Sequence, residues 1–182
     1  MIIAGLKSIE EMKVLVGVKF NTRTIAILGM LIALNVVISI FFHIPIPMTH
    51  GYINLCDAGI FIAALIFGWR GGVIVGGASG LLLDLLLGYP QYMFFSLLVH
   101  GLEGGIAGYL GASKSHGRQI AAIITAVVVM VVGYFLSDSL LYTMGTGLVG
   151  VPTNLVQAVV GGILAFPIVA GIRPIVKRHL NF

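Results

Sequence analysis

Apolar residues run along this chain in long unbroken blocks. They show neither the alternation of a half-buried strand nor the narrow apolar stripe of a surface helix. The blocks fall at roughly 23–42, 53–69, 71–88, 91–112, 119–142 and 153–173, each near the ~20 residues a helix needs to cross a hydrocarbon core about 30 Å thick. Continuous rather than alternating runs argue against a transmembrane β-barrel. The pattern predicts an all-α polytopic membrane protein of six transmembrane helices. The second and third blocks are separated only by Trp69, Arg70, Gly71 and Gly72. They read as a tight helical hairpin, since neither backbone can be left unpaired in lipid.

Composition agrees. Of 182 residues, 59% are hydrophobic and 9% are charged, where a soluble domain carries about 25% charged residues. Charge placement then orients the bundle. The bases are Lys7, Lys13, Lys19, Arg23, Arg70, Lys114, Arg118, Arg173, Lys177 and Arg178. With six spans, all fall at the two ends of the chain or in the 2–3 and 4–5 connections. By the positive-inside rule both termini are expected in the cytoplasm. The net charge of +4 therefore reports topology, and no basic, aromatic-rich soluble segment exists to bind nucleic acid. Residues 1–22 mix Lys and Glu with aliphatics and read as a cytoplasmic interfacial segment. Residues 23–182 form one six-helix domain without a soluble domain or an internal repeat. Cys56 stands alone and cannot form an internal disulfide.

Four of the six acids, Asp57, Asp84, Glu103 and Asp138, fall inside the predicted spans, where each is costly unless paired, protonated or facing water. Asp57 starts span 2 near the outer face, and Asp84 and Asp138 lie about a turn from the outer ends of spans 3 and 5. Glu103 is near the middle of span 4 with His100 one turn further out, and Asn154 and Gln157 open span 6. Helical spacing aligns Gly72, Gly76, Gly80, Asp84 and Gly88 on one face, and Ser96, His100, Gly104 and Gly108 on another. Tyr134, Asp138 and Tyr142 share a third face. Small residues let backbones approach, so the helices should pack tightly below and leave a polar, aromatic pocket open to the outside. Packing alone also explains glycine stripes, and buried polar groups also bond one another. Asp57 serves equally as a helix N-terminal residue with Asn54 as its cap. What favours a pocket is convergence of four helices at one depth.

The first outer loop, Phe42 to Tyr52, carries Pro45 and Pro47, which enforce extended backbone, and is expected to fold over the bundle mouth. His43, His50 and His100 match no metal-ligand spacing, and no metal or cofactor is expected. Gly77-Ala78-Ser79-Gly80 resembles the nucleophile motif of rhomboid proteases, but span 6 holds no histidine to activate Ser79. No phosphate-binding glycine loop with its Lys is present. The chain is not expected to be an enzyme.

Gly51-Tyr-Ile-Asn-Leu-Cys-Asp57, Phe67-Gly-Trp-Arg-Gly-Gly72, Asp84-Leu-Leu-Leu-Gly-Tyr89 and His100-Gly-Leu-Glu-Gly104 together resemble the substrate-binding S components of energy-coupling factor (ECF) vitamin transporters. The resemblance extends from residue 23 to about 176 and is strongest to the branch of riboflavin, hydroxymethylpyrimidine and pyridoxine carriers. Cys56 and Trp69 stand where that family commonly has Gly and Pro. The resemblance implies capture of a vitamin from outside, then release inside after docking on a membrane coupling subunit driven by two cytoplasmic ATPases. It also implies that Gly29 and Ala33 in the first helix contact that coupling subunit. On the residues alone, these two are a small face that could equally pack inside the bundle. The alternative is a self-sufficient secondary transporter, with Glu103 as the residue for proton coupling. Such carriers tend to have repeats and broken helices; this chain has neither.

The expected substrate contacts are Asn54, Asp57, Asp84, Tyr89, Tyr92, His100, Glu103, Asp138, Asn154 and Gln157. Their outer half of the bundle lacks Lys and Arg. A neutral or cationic hydroxylated ring such as hydroxymethylpyrimidine or pyridoxine therefore suits the site better than a carboxylate vitamin. Acids can accept its hydrogen bonds, and Tyr89, Tyr92, Tyr134 or Phe95 can cover its faces.

Overall fold

A computed structural model describes residues 21–46, 51–111 and 115–180. The expected interfacial segment, His50 and Lys114 lie outside the described residues, except for the end of that segment. The helices are α1 (Thr22–Phe41), α2 (Cys56–Leu87), α3 (Met93–Gly111), α4 (His116–Leu141) and α5 (Met144–Leu180), all long and apolar enough to cross a membrane. Lipid explains their surface: side chains as large as Phe41, Leu86, Leu98 and Ile163 stand more than half exposed, which water would not tolerate on this scale. The chain is a multi-pass cell-membrane protein.

Five helical elements stand where six were expected among the described residues, because the second and third blocks follow one another in a single element, α2, with no loop at Trp69–Gly72. It does not run straight. Gly68 has φ 74° and ψ −167°, a left-handed backbone that glycine adopts without a Cβ clash. A Cβ added at Gly76 would lie 3.3 Å from Ile60 Cγ2, and one at Gly72 would lie 3.0 Å from the Ala64 Cβ. A straight helix would hold Ile60 and Gly76 about 24 Å apart. The chain therefore doubles back at Gly68, and the two limbs of α2 lie side by side.

α1, α3 and α4 match their predicted spans within three residues. The last helix corrects the expectation: it begins at Met144, well before 153, and takes Pro152 into its interior. Gly147 explains the early start. A Cβ there would come within 2.7 Å of the Phe135 carbonyl, so the glycine lets α5 pack on the end of α4 directly after the turn. The outer loop adds a small antiparallel pair, β1 (Ile44–Pro45) with β2 (Tyr52–Ile53), in the register Ile44 to Ile53 and Pro45 to Tyr52.

α2 is the most buried helix and forms the centre of the bundle. Its first limb places Ile60, Phe61, Ala63, Ala64 and Leu65 at 1% exposure or less. α1 packs against this limb through Leu28 and Val36. One polar tie adds to them: Asn35 Nδ2 donates to the Cys56 carbonyl at 3.1 Å.

Candidate functional site

The site rests on the glycine register between α2 and α3. A Cβ at Gly72 would overlap the Gly104 carbonyl, one at Gly76 the His100 carbonyl, and one at Gly80 would stand 2.9 Å from the Ser96 carbonyl. The two backbones touch along three turns, with Ser96, His100 and Gly104 of α3 facing the glycine stripe of α2. This close packing holds His100 against the second limb, its ring edge 2.8 Å from where a Gly80 side chain would begin.

Above this seam lies a cavity of about 40 Å³, room for a few waters at about 10–15 Å³ each. Seven of the expected contacts line it: Asn54, Asp84, Tyr92, His100, Asp138, Asn154 and Gln157. They come from the loop before α2 and from α2, α3, α4, α5 and the turn before α3. Among the described residues, the lining contains no Lys or Arg.

The polar groups around the cavity are organised in pairs. Tyr52 Oη donates to Asp84 Oδ1 at 2.7 Å, and Tyr92 Oη donates to Asp138 Oδ1 at 2.5 Å. Burial, then the neighbouring Asp84, push the Tyr52 phenol well above its ordinary range. Burial and the bond to Asp138 do the same for Tyr92. Both phenols thus stay protonated as donors. Ser96 Oγ and Tyr134 Oη share a bond of 2.6 Å, and the Tyr134 ring stands edge-on to His100 at 5.4 Å. Gln157 Oε1 accepts from the Asn54 amide at 2.8 Å, which ties α5 to the entry of α2. Asn54 Oδ1 accepts from the Cys56 amide at 2.7 Å, but the cap position itself falls on Leu55, which makes no side-chain cap bond, so the reading of Asn54 as the cap is corrected by one residue.

Three expected contacts do not line the cavity. Tyr89 lies at the rim, its ring 4.7 Å from that of Tyr52. Asp57 and Glu103 are fully buried behind the cavity wall. There His100 Nδ1 lies 2.8 Å from Glu103 Oε2 and 3.5 Å from Asp57 Oδ1. Asp57, expected near the outer face, meets His100 and Glu103, the groups placed towards mid-span.

Tyr52, Thr153 and Gly150 line the cavity and were missed as site residues. Tyr52 was legible in principle. A fold-back centred on Gly68 sets residue 52 opposite residue 84, but the turn was read one to four residues too late. Thr153 sits one residue after Pro152 inside a helix, and nothing in its local sequence marks it.

A family model described as "ECF-type riboflavin transporter, S component" matches residues 19–174 of this chain. The Thiamine precursor transporter HmpT of Lactococcus lactis subsp. cremoris (strain MG1363) is 38% identical over 146 residues, covering 80% of this chain and 84% of that protein. An uncharacterized protein of Pyrococcus woesei is 33% identical over 140 residues, covering 76% of this chain and 91% of that protein.

Proposed function

This chain belongs to the family of S components of ECF-type riboflavin transporters, and we propose that it captures a hydroxymethylpyrimidine-like vitamin precursor from outside. The observation that carries the reading is the cavity chemistry. Asp84 and Asp138 face a space without Lys or Arg among its described lining, where a carboxylate ligand would meet like charge at low dielectric. Tyr52, Tyr92 and Tyr134 offer hydroxyls and ring faces beside them. Size adds support: about 40 Å³ calls for less rearrangement around one ring than around a tricyclic flavin with its sugar-alcohol chain. The similarity to a thiamine precursor transporter points the same way. In this reading Asn54, Asp84, Tyr92, His100, Asp138, Asn154 and Gln157 contact the solute, Tyr89 braces Tyr52 at the rim, and Asp57 and Glu103 act from behind His100.

The two limbs of α2 count as the second and third of six passes, with both termini cytoplasmic. Family membership supports uptake through a membrane coupling subunit and two ATPases, docked on Gly29 and Ala33 of α1. Titration of the purified protein with hydroxymethylpyrimidine, pyridoxine, riboflavin and pantothenate tests the ligand class. Tight binding is expected for a neutral or cationic single ring and none for pantothenate; the reverse order would overturn the charge argument. Proteoliposomes holding this chain alone should bind the ring without accumulating it. Ion-driven accumulation by the pure chain would instead establish a secondary transporter.

A further inference from the structure

We propose that Asp57, His100 and Glu103 form a site for one divalent transition-metal ion beneath the floor of the cavity. One ligand atom from each lies within 4.8 Å of the others. Asp57 and Glu103 are 0% exposed and His100 is 4% exposed. The second observation is a deficit of donors. Asp57 Oδ1, Asp57 Oδ2 and Glu103 Oε1 are buried without a hydrogen-bond partner among the described residues. The Gln157 amide, whose oxygen accepts from Asn54, approaches Asp57 from α5 as a hydrogen-bonding neighbour, yet it makes no hydrogen bond of ordinary geometry to either Asp57 oxygen. Among the described residues, the ion-pair neighbour of these carboxylates is His100.

A buried acceptor without a donor loses its hydration and recovers nothing. A proton shared between His100 Nδ1 and Glu103 Oε2 accounts for the 2.8 Å contact and leaves the other three oxygens unmet. A single cation held by one atom from each residue would replace that proton and give both carboxylates a charged partner. Two carboxylates and a neutral imidazole carry two negative charges, which a divalent ion balances. The imidazole nitrogen selects among such ions: calcium and magnesium take oxygen shells, whereas imidazole with carboxylate suits zinc, cobalt, nickel, iron or manganese. Three protein donors leave room for a further ligand, as in open zinc sites.

The proposal stands apart from the identity of the transported solute, and cobalt(II) alone tests it. Full-length protein in detergent, freed of any affinity tag and stripped with a chelator, should bind one Co²⁺ per chain with a visible d–d band that Zn²⁺ abolishes. Glu103→Gln and Asp57→Asn should each weaken binding at least about tenfold. X-ray absorption on the wild type should find one imidazole nitrogen among carboxylate oxygens, which decides the matter even if the variants fail to fold. A wild-type protein that takes up no stoichiometric Co²⁺, a shell without imidazole, or binding unchanged in both variants would overturn it.

Discussion

Gly76→Ala, a change of one methyl group, should abolish solute binding and cost about 3 kcal/mol of stability, the upper part of the range for overpacking. The added Cβ would overlap the His100 carbonyl oxygen and lie 2.9 Å from its carbonyl carbon. Neither atom can rotate aside, because both belong to the α3 backbone. α3 must shift as a body, and Ser96 and His100 move with it, away from the cavity. In a bilayer the loss is severe because close van der Waals contact, rather than expulsion of water, holds such helices together. Gly101→Ala is the control: its Cβ would meet the nearest atoms, Gly77 Cα and the Val73 carbonyl, at 3.8 Å. That is ordinary contact, and alanine gains up to about 1 kcal/mol of helix propensity over glycine. Thermal unfolding in detergent and ligand titration check both variants. Equal losses at the two positions would show that the contact register is not what matters.

Gly29→Leu should reduce uptake to background in cells that hold the coupling subunit and ATPases, while the purified variant binds its solute as the wild type does. The site of substitution explains the split. A Cβ at Gly29 meets nothing within 4 Å, and both Gly29 and Ala33 are exposed on α1. Among the described residues, no neighbour crowds the point where a leucine side chain would begin. α1 turns a different face, with Thr24, Leu28, Asn35 and Ser39, to the bundle. A flat strip of small residues facing lipid lets a partner helix come close, and leucine would hold it away. Transport assays beside isothermal titration separate the two effects. Lost binding with normal assembly would mean that this strip packs inside the protein, and uptake unchanged by leucine would move the docking surface elsewhere.

Much of the architecture was legible along the chain because hydropathy is a local quantity. α1, α3 and α4 emerge from the apolar blocks alone, since any segment of that length and composition must be helical in lipid. The polar groups were legible for the same reason. An acid in an apolar helix is conspicuous, and Asp84, His100, Asp138, Asn154 and Gln157 do converge on one cavity. The glycine stripe was visible as a face, and its partner on α3 as another.

Longer-range contacts decided the rest. Gly68, not the Trp69–Gly72 stretch, makes the bend in α2, because the close approach of Gly108 to Gly68 and Trp69 belongs to the packed pair of helices. That one bend sets Tyr52 opposite Asp84 and draws Asp57 inward to His100 and Glu103, so one residue of displacement changes which acids meet a donor. Satisfaction of buried acids is likewise a property of pairs distant in sequence: Asp138 Oδ1 is met by Tyr92 and Asp84 Oδ1 by Tyr52, while among the described residues both Asp57 oxygens, Glu103 Oε1 and Asp84 Oδ2 have no hydrogen-bond partner. The sequence by itself determined a membrane-embedded helical bundle, its apolar spans and the chemistry of its polar groups, since those follow from composition over a single turn or span. Only the tertiary structure decided which acids line the cavity and which lie behind it, because helix register depends on backbone contacts between residues dozens of positions apart.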